Sequence, residues 1–169
     1  MKVILDLALS EDGFIAKLDG DSDWVSERTE KLFKERIVEA GCLVVGWRTF
    51  DQYRGSIYPV EGVLNIVLTS THPNEKADAH VVFATSVEEA MQIATERKCS
   101  GILIAGGSLV AKAFLEKDLI DEIYFSVHPL QLGIGIRPFA DMPLPQDIDL
   151  IDSHDLGEGI HQDHYKVRK

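Results

Sequence analysis

The run Ile102-Leu103-Ile104-Ala105 ends at Gly106-Gly107, and a helical pattern begins immediately behind it. Four apolar residues are too few for a helix and read as a buried strand over residues 102–105. Leu109, Ala113 and Phe114 then recur at i, i+4 and i+5, the apolar stripe of a short helix. A strand, a glycine pair and a helix in direct succession demand a sharp bend, which glycine permits while leaving no Cβ between the backbone and a ligand. The first N–H groups of the next helix face outward there, and an anion can bind them. A tight turn that binds nothing has the same local sequence, so the rest of the chain has to decide between the two.

Residues 3–9 read as a buried strand in spite of Asp6, and Ser10-Glu11-Asp12-Gly13 is turn chemistry before the extended piece Phe14-Ile15-Ala16. Ser26 is placed to cap a helix over residues 27–40, with Leu32, Phe33, Arg36, Ile37 and Ala40 on its inner stripe and Gly41 closing it. Strands follow over residues 43–46, 63–69 and 81–83, with a short helix opening at Trp47-Arg48-Thr49-Phe50. Ser86-Val87-Glu88-Glu89 matches a capping box and starts a helix to about Lys98. A sixth strand covers residues 120–127, and residues 149–167 form a hairpin around Leu156-Gly157-Glu158-Gly159. Strands alternating with helices predict an α/β fold: a mostly parallel central sheet with right-handed crossovers, helices on both faces and an antiparallel C-terminal hairpin. No repeat or interdomain linker is visible, so residues 1–169 are expected to form one domain.

The formal net charge of −11 argues against nucleic acid or an anionic membrane as the main partner, and leaves small anions open. No apolar stretch approaches membrane-spanning length, and Met1-Lys2 leads straight into a strand-like run. Cys42 and Cys99 each lie beside an apolar run and read as buried free thiols in a reducing, cytoplasmic setting.

In an open α/β sheet, ligands bind beyond the carboxyl ends of the strands. Three strands end in groups that suit phosphate and ribose. Gly46-Trp47-Arg48-Thr49 offers a helix start, a guanidinium and a hydroxyl; Leu68-Thr69-Ser70 offers two hydroxyls; the Gly106-Gly107 pair offers backbone donors. Together they favour a nucleotide cofactor over a fold that binds nothing.

Gly46-x-Arg48-Thr49-Phe50, Val67-Leu68-Thr69-Ser70 and Ala105-Gly106-Gly107-Ser108-Leu109 resemble, in order and spacing, the NADPH-binding elements of dihydrofolate reductase, and residues 161–169 resemble that fold's final strand. Within the superfamily, the stretch from Ser10-Glu11-Asp12-Gly13 to Phe14-Ile15-Ala16, together with Ser22-Asp23-Trp24-Val25-Ser26 and Leu119-Ile120-Asp121-Glu122-Ile123, is similar to the reductase (C-terminal) domain of riboflavin biosynthesis. The Gly133-x-Gly135 turn before Pro138-Phe139 fits that group too. The resemblance implies a dihydrofolate-reductase-like fold, NADPH as cofactor, a small-molecule substrate and a homodimer. It implies that Ala8 and the backbone of Ile15 and Ala16 flank the nicotinamide. Gly46, Trp47, Arg48 and Thr49 would hold the pyrophosphate, with Arg48 or a neighbour near the 2′-phosphate. Leu68, Thr69 and Ser70 would touch the adenosine side, and Gly106, Gly107, Ser108, Leu109 and Val110 would meet the pyrophosphate opposite Thr49. Trp47 stands where many relatives carry a basic residue.

The substrate side departs from both relatives. In dihydrofolate reductases an acid lies five positions after a Trp matching Trp24, and Thr29 stands there. Glu30 is one residue on, turned by about 100° around the helix. Phe33 matches the folate-pocket aromatic, and Ser126 matches the hydroxyl that steadies the acid. Trp24, Glu30, Phe33 and Ser126 are therefore the expected substrate-binding residues, and no catalytic residue is assigned. Riboflavin-pathway reductases carry a Glu before the glycine pair, where this chain has Ala105. No deaminase-type metal motif accompanies the chain, so no metal is expected. His161 and His164, three apart in a strand, point to opposite faces, and His72 and His154 read as solvated loop residues. The expected activity is NADPH-dependent reduction of a pterin-like or aminopyrimidine/ribosyl-like C=N or C=O group, in the manner of dihydrofolate reductase or 5-amino-6-(5-phosphoribosylamino)uracil reductase. The alternative is a nucleotide-binding sensor or degenerate relative.

Overall fold

The computed structural model describes residues 1–71 and 79–169; His72 lies outside the described residues. The elements are β1 (Lys2–Ser10), α1 (Glu27–Ala40), β2 (Cys42–Gly46), α2 (Trp47–Gln52), β3 (Leu64–Leu68) and β4 (Val81–Ala84). They continue with α3 (Val87–Glu96), β5 (Gly101–Ile104), α4 (Ser108–Leu115), β6 (Glu122–His128), β7 (Ile148–Gly157) and β8 (Ile160–Val167). The strands form one eight-stranded sheet in the order β4-β3-β2-β5-β1-β6-β8-β7. All neighbours from β4 to β6 run parallel, and β8 runs antiparallel to both β6 and β7.

Side chains alternate between the two faces of each strand, and both faces are covered. Leu5, Leu7, Cys42, Val44, Ile66, Ile102 and Ile104 meet Ala90 and Ala94 of α3 and Ala111 and Phe114 of α4. On the other face, Leu43, Val45, Val67 and Leu103 meet Ile37 and Ala40 of α1 and the Phe50–Tyr58 pair, whose rings stack at 5.9 Å. Strands buried on both sides cannot alternate with polar residues, which explains the short, unbroken apolar runs.

Caps fix the helix ends. Ser26 Oγ accepts from Thr29 N at 3.2 Å, and Gly41, at φ 76°, closes α1 with its N–H on the Ile37 carbonyl. Glu89 N donates to Ser86 Oγ, while the Glu89 carboxylate reaches back to the N–H and hydroxyl of Thr85. α3 stops at Glu96, before the expected Lys98, because Lys98 itself adopts the left-handed conformation at φ 56°. Cys42 is buried and Cys99 half-buried, both as free thiols; burial first, and the neighbouring Cys99 thiol second, push the Cys42 thiol up. No helix among the described residues is long and apolar enough to cross a membrane.

Sheet order is what makes the site. The polar strand ends read from the sequence belong to β3, β2 and β5, which are adjacent and parallel, and β1 follows beside β5. Their carboxyl ends open on one side of the molecule.

Candidate functional site

A cleft of about 960 Å³ lies over these strand ends. Ala8, Ile15, Ala16, Gly46, Trp47, Arg48, Thr49, Leu68, Thr69, Ser70, Gly106, Gly107, Ser108, Leu109 and Val110 all line it, as do Glu30 and Phe33 of α1. The fifteen residues expected around a cofactor thus surround one continuous space.

Two glycine turns form its middle. Gly46 N donates to the Gly106 carbonyl at 3.1 Å, tying the end of β2 to the end of β5. The Gly106–Gly107 peptide is cis, and Gly106 sits at φ 104°, where a side chain would be strained. A Cβ on Gly107 would lie 3.1 Å from Thr49 Oγ1, and one on Gly46 3.1 Å from Val110 Cγ2. The backbone is therefore bare where the two turns approach. Gly107 caps α4 without a side-chain hydrogen bond, so the first N–H groups of that helix have no side-chain acceptor. Arg48, exposed in the first turn of α2, lines the same cleft and forms no ion pair among the described residues. Bare backbone and open helix N–H groups fit a pyrophosphate, and the Arg48 guanidinium fits a further phosphate on the same cleft. Thr69, Ser70, Thr85 and Ser86 supply hydroxyls farther along the same wall.

The loop after β1 is held from outside. Asp12 accepts from Leu132 N at 3.1 Å and Gly133 N at 2.7 Å, and the Ser10 hydroxyl beside it leads in holding its carboxyl below the usual range. Ile15 N donates to the Ile136 carbonyl and Ile136 N to that of Ala16. Gly135 must be glycine there, since a Cβ would fall 2.4 Å from the Ala16 carbonyl oxygen. These contacts set Ile15 and Ala16 against the cleft. Tyr53, which sequence reasoning passed over, bonds Ser22 N and the Gly20 carbonyl, each at 3.0 Å, and so ties the loop over residues 17–23 to the end of α2.

Trp24 and Ser126 are placed outside the cleft lining. The Trp24 ring packs edge-on against His128 at 5.2 Å, and its buried Nε1 has no hydrogen-bond partner. Ser126 is fully buried and accepts from Gln162 Nε2 at 2.8 Å. Trp24 thus packs ahead of α1 against the end of β6, and Ser126 of β6 is engaged by β8. Thr29, at the position of the absent acid, lines the cleft but is also engaged: Ser26 Oγ donates to its hydroxyl at 3.0 Å, and His128 Nε2 lies 3.4 Å away. His128 Nδ1 is 3.0 Å from the Ser126 carbonyl, an acceptor only, and its Nε2 accepts from Ser26 N at 3.2 Å. That pattern requires a neutral ring, and burial pushes the His128 pKa down accordingly.

Asp6 is a second cleft residue the sequence reading missed. It is 3% exposed and lines the cleft. Arg36 donates from Nη1 to Asp6 Oδ2, and from Nη2 to Gln162 Oε1 at 3.0 Å. The guanidinium also lies 3.7 Å over the Tyr124 ring. Burial raises the Asp6 carboxyl to about 6, outweighing the opposite pull of Arg36. A signal was available: an acid inside an apolar strand requires a partner, and Arg36 stands on the inner stripe of the next helix. His164 stacks on Tyr124 at 4.1 Å, and His161 is exposed on the other side of β8.

The chain is 29% identical to YwjB, an uncharacterized protein of Bacillus subtilis (strain 168), over 97% of each. Its fold matches dihydrofolate reductase from Enterococcus faecalis, a structure complexed with NADP(H) and RAB-propyl, with TM-score 0.78 and 26% identity over 99% of this chain and 97% of that one. It also matches the diaminohydroxyphosphoribosylaminopyrimidine deaminase/5-amino-6-(5-phosphoribosylamino)uracil reductase of Thermotoga maritima, with TM-score 0.77 and 21% identity over 99% of this chain and 56% of that one. The sheet and its helices are therefore dihydrofolate-reductase-like. The RibD C-terminal domain model matches residues 1–162, and the chain belongs to that family of reductase-like domains.

Proposed function

We propose that the protein is an NADPH-dependent reductase acting on a small substrate with a pterin-like or aminopyrimidine/ribosyl-like C=N or C=O group. The observation that carries this reading is the single cleft lined by Ala8, the two glycine turns and the Thr69-Ser70 wall together. Gly46, Thr49, Gly107 and the α4 N-terminus hold the pyrophosphate. Arg48 and the hydroxyls of Thr69 and Ser70 take the adenosine end. Ala8, Ile15 and Ala16 shape the nicotinamide pocket. The bound cofactor supplies the hydride. The chain's own part is to hold the acceptor carbon against it, between β1 and the Glu30–Phe33 face of α1, and to exclude water.

The adjacent apolar positions Leu150 and Ile151 are exposed on β7, at the sheet edge, and support a homodimer paired there. Sedimentation equilibrium tests that association. A second reading, a cofactor-binding sensor without efficient chemistry, is favoured by one observation: Thr29 occupies the place of the acid and is spent on Ser26 and His128.

Titration of NADPH against tryptophan fluorescence tests the premise of both readings, because Trp47 lines the cleft. Quenching with saturation is expected, with tighter binding than NADH. Absence of binding at millimolar NADPH removes both. Enzyme and sensor then separate on NADPH oxidation with pterins, pyrimidine ribosides and quinoid compounds; complete silence favours the sensor.

A further inference from the structure

The cleft floor holds a carboxyl group that the reductase reading leaves unused. Asp6 and Ala8 are two residues apart on the α1-facing side of β1, so their side chains stand about 7 Å apart on one surface. Arg36, one helical turn beyond Phe33 on α1, takes Asp6 Oδ2 from behind the cleft lining. No hydrogen bond from the described residues reaches Oδ1, which leaves that oxygen to meet the cleft that Asp6 lines. The other charged and titratable groups on this side are accounted for. Glu30 of α1 lines the cleft, and on β6 Tyr124 lies under Arg36. Glu122 pairs with Lys2 of β1 at 2.7 Å and lies 3.0 Å from His164 Nε2 of β8. β5 and the residue after it contribute apolar Leu103 and Ala105. Arg36 is thus the one cation bonded to Asp6 among the described residues.

We propose that Asp6 is the proton donor of this cleft and that its substrate presents a C=N nitrogen to the Asp6 carboxyl. The proposal rests on the NADPH-dependent reading above, which names the reductant. For a C=N group the balance is a hydride on carbon, from NADPH, and a proton on nitrogen, from Asp6. The Asp6 O–H bond breaks as the substrate N–H bond forms. The carboxylate left behind is held by Arg36 and takes a new proton from water. A carboxyl group held near pH 6 is matched to an imine or ring nitrogen, whose basicity is comparable, and poorly matched to a carbonyl oxygen, a far weaker base. The same group explains how the cleft can lack an acid at Thr29: the proton comes from the strand instead of the helix.

The test has three arms. In NADPH-free protein labelled with 13C at the aspartate carboxyls, the resonance that disappears in Asp6→Asn is expected to titrate near pH 6. Arg36→Lys, which keeps the charge but loses the planar fork, is expected to move that midpoint upward. NADPH affinity, measured by fluorescence, is expected to stay within about threefold in Asp6→Asn. With 7,8-dihydropterin as the C=N probe, Asp6→Asn is expected to lower the rate of NADPH oxidation near pH 6 by about 100-fold or more and to flatten its pH profile. Failure of the wild type to bind NADPH overturns the reductase reading, and this proposal with it. With binding intact, the proposal alone is overturned by Asp6 titrating below about pH 5. A wild-type rate and pH profile in Asp6→Asn also overturns it, as does a wild type that does not oxidise NADPH with the probe. If Asp6→Asn does not fold, an unmoved carboxyl midpoint in Arg36→Lys has the same force.

Discussion

Replacing Gly107 by Asp separates a cofactor cradle from a mere bend. The backbone there, at φ −63° and ψ −177°, is ordinary extended N-cap geometry that Asp adopts readily. The carboxylate would reach the open N–H groups of the first turn of α4, and the cap is worth only a few tenths of a kcal/mol over glycine, so unfolding by urea should change little. Binding should change a great deal. The Cβ falls 3.1 Å from Thr49 Oγ1, so the side chain has to turn along the cleft wall where the pyrophosphate is proposed to lie. Two like charges about 4 Å apart at an effective dielectric of about 20 repel by about 4 kcal/mol, which corresponds to about a thousandfold loss of affinity. The carboxylate also occupies the donors the phosphate would use. Gly107→Asn places the same shape without the charge, so the difference between the two variants reads the electrostatic part, and added salt should narrow it only partly in a recessed site. The assay is NADPH titration by Trp47 quenching, with circular dichroism confirming the fold. If Gly107→Asp binds NADPH as tightly as the wild type, the glycine pair is only a turn and the placement of the pyrophosphate is wrong.

Three further outcomes follow from the packing. Asp6 carries a carboxyl near 6 in the folded protein against about 3.9 in an unfolded chain. The folded state therefore holds the extra proton between those values, and its stabilising contribution is lost as pH rises from about 4 to about 6, by up to about 3 kcal/mol. Urea unfolding of wild type and Asp6→Asn across that range should show the difference moving in favour of Asn as pH rises; the opposite slope refutes the burial argument. Ser26→Ala removes the cap on Thr29 N and should cost about 1 kcal/mol in the same assay, with no effect beyond error refuting the cap. Phe114→Ala empties a fully buried position between α4 and the sheet and should cost about 3–5 kcal/mol, against less than 1 if the core there is loose.

Much of the fold is legible because its signals are local. Ser26 and Gly41 stand on either side of α1, and the observed helix runs between them without adjustment. The glycine pair marks the β5–α4 turn because only a short apolar strand and an immediate helix fit around it. Sheet order is different. Nothing in residues 101–104 tells them to enter between β2 and β1; that follows from burying a strand apolar on both sides at the centre of the sheet. Trp24 and Ser126, expected at the substrate, lie outside the cleft lining, where Trp24 packs on His128 and Ser126 is bonded by Gln162; those long-range partners are not visible along the chain. Asp6 went unread for the same reason. Its stabilising partners are Arg36, thirty positions away, and beyond it Gln162, and no window along the chain contains all three.

The two halves of the cleft differ in the kind of group that builds them. The wall proposed for the cofactor is made largely of backbone at strand ends, where glycine and a helix start provide donors whatever the side chains do, and such turns keep their sequence signature. On the side proposed for the substrate, Asp6 is held by side chains that meet only in the folded protein: Arg36 of α1, with Tyr124 of β6 and Gln162 of β8 behind it. A Cβ on Gly107 crowds Thr49 whatever the substrate. With Thr29 engaged by Ser26 and His128, the acids left to the cleft floor are Glu30, half-buried on the same helix, and Asp6, the buried carboxyl group that lines the cleft from β1.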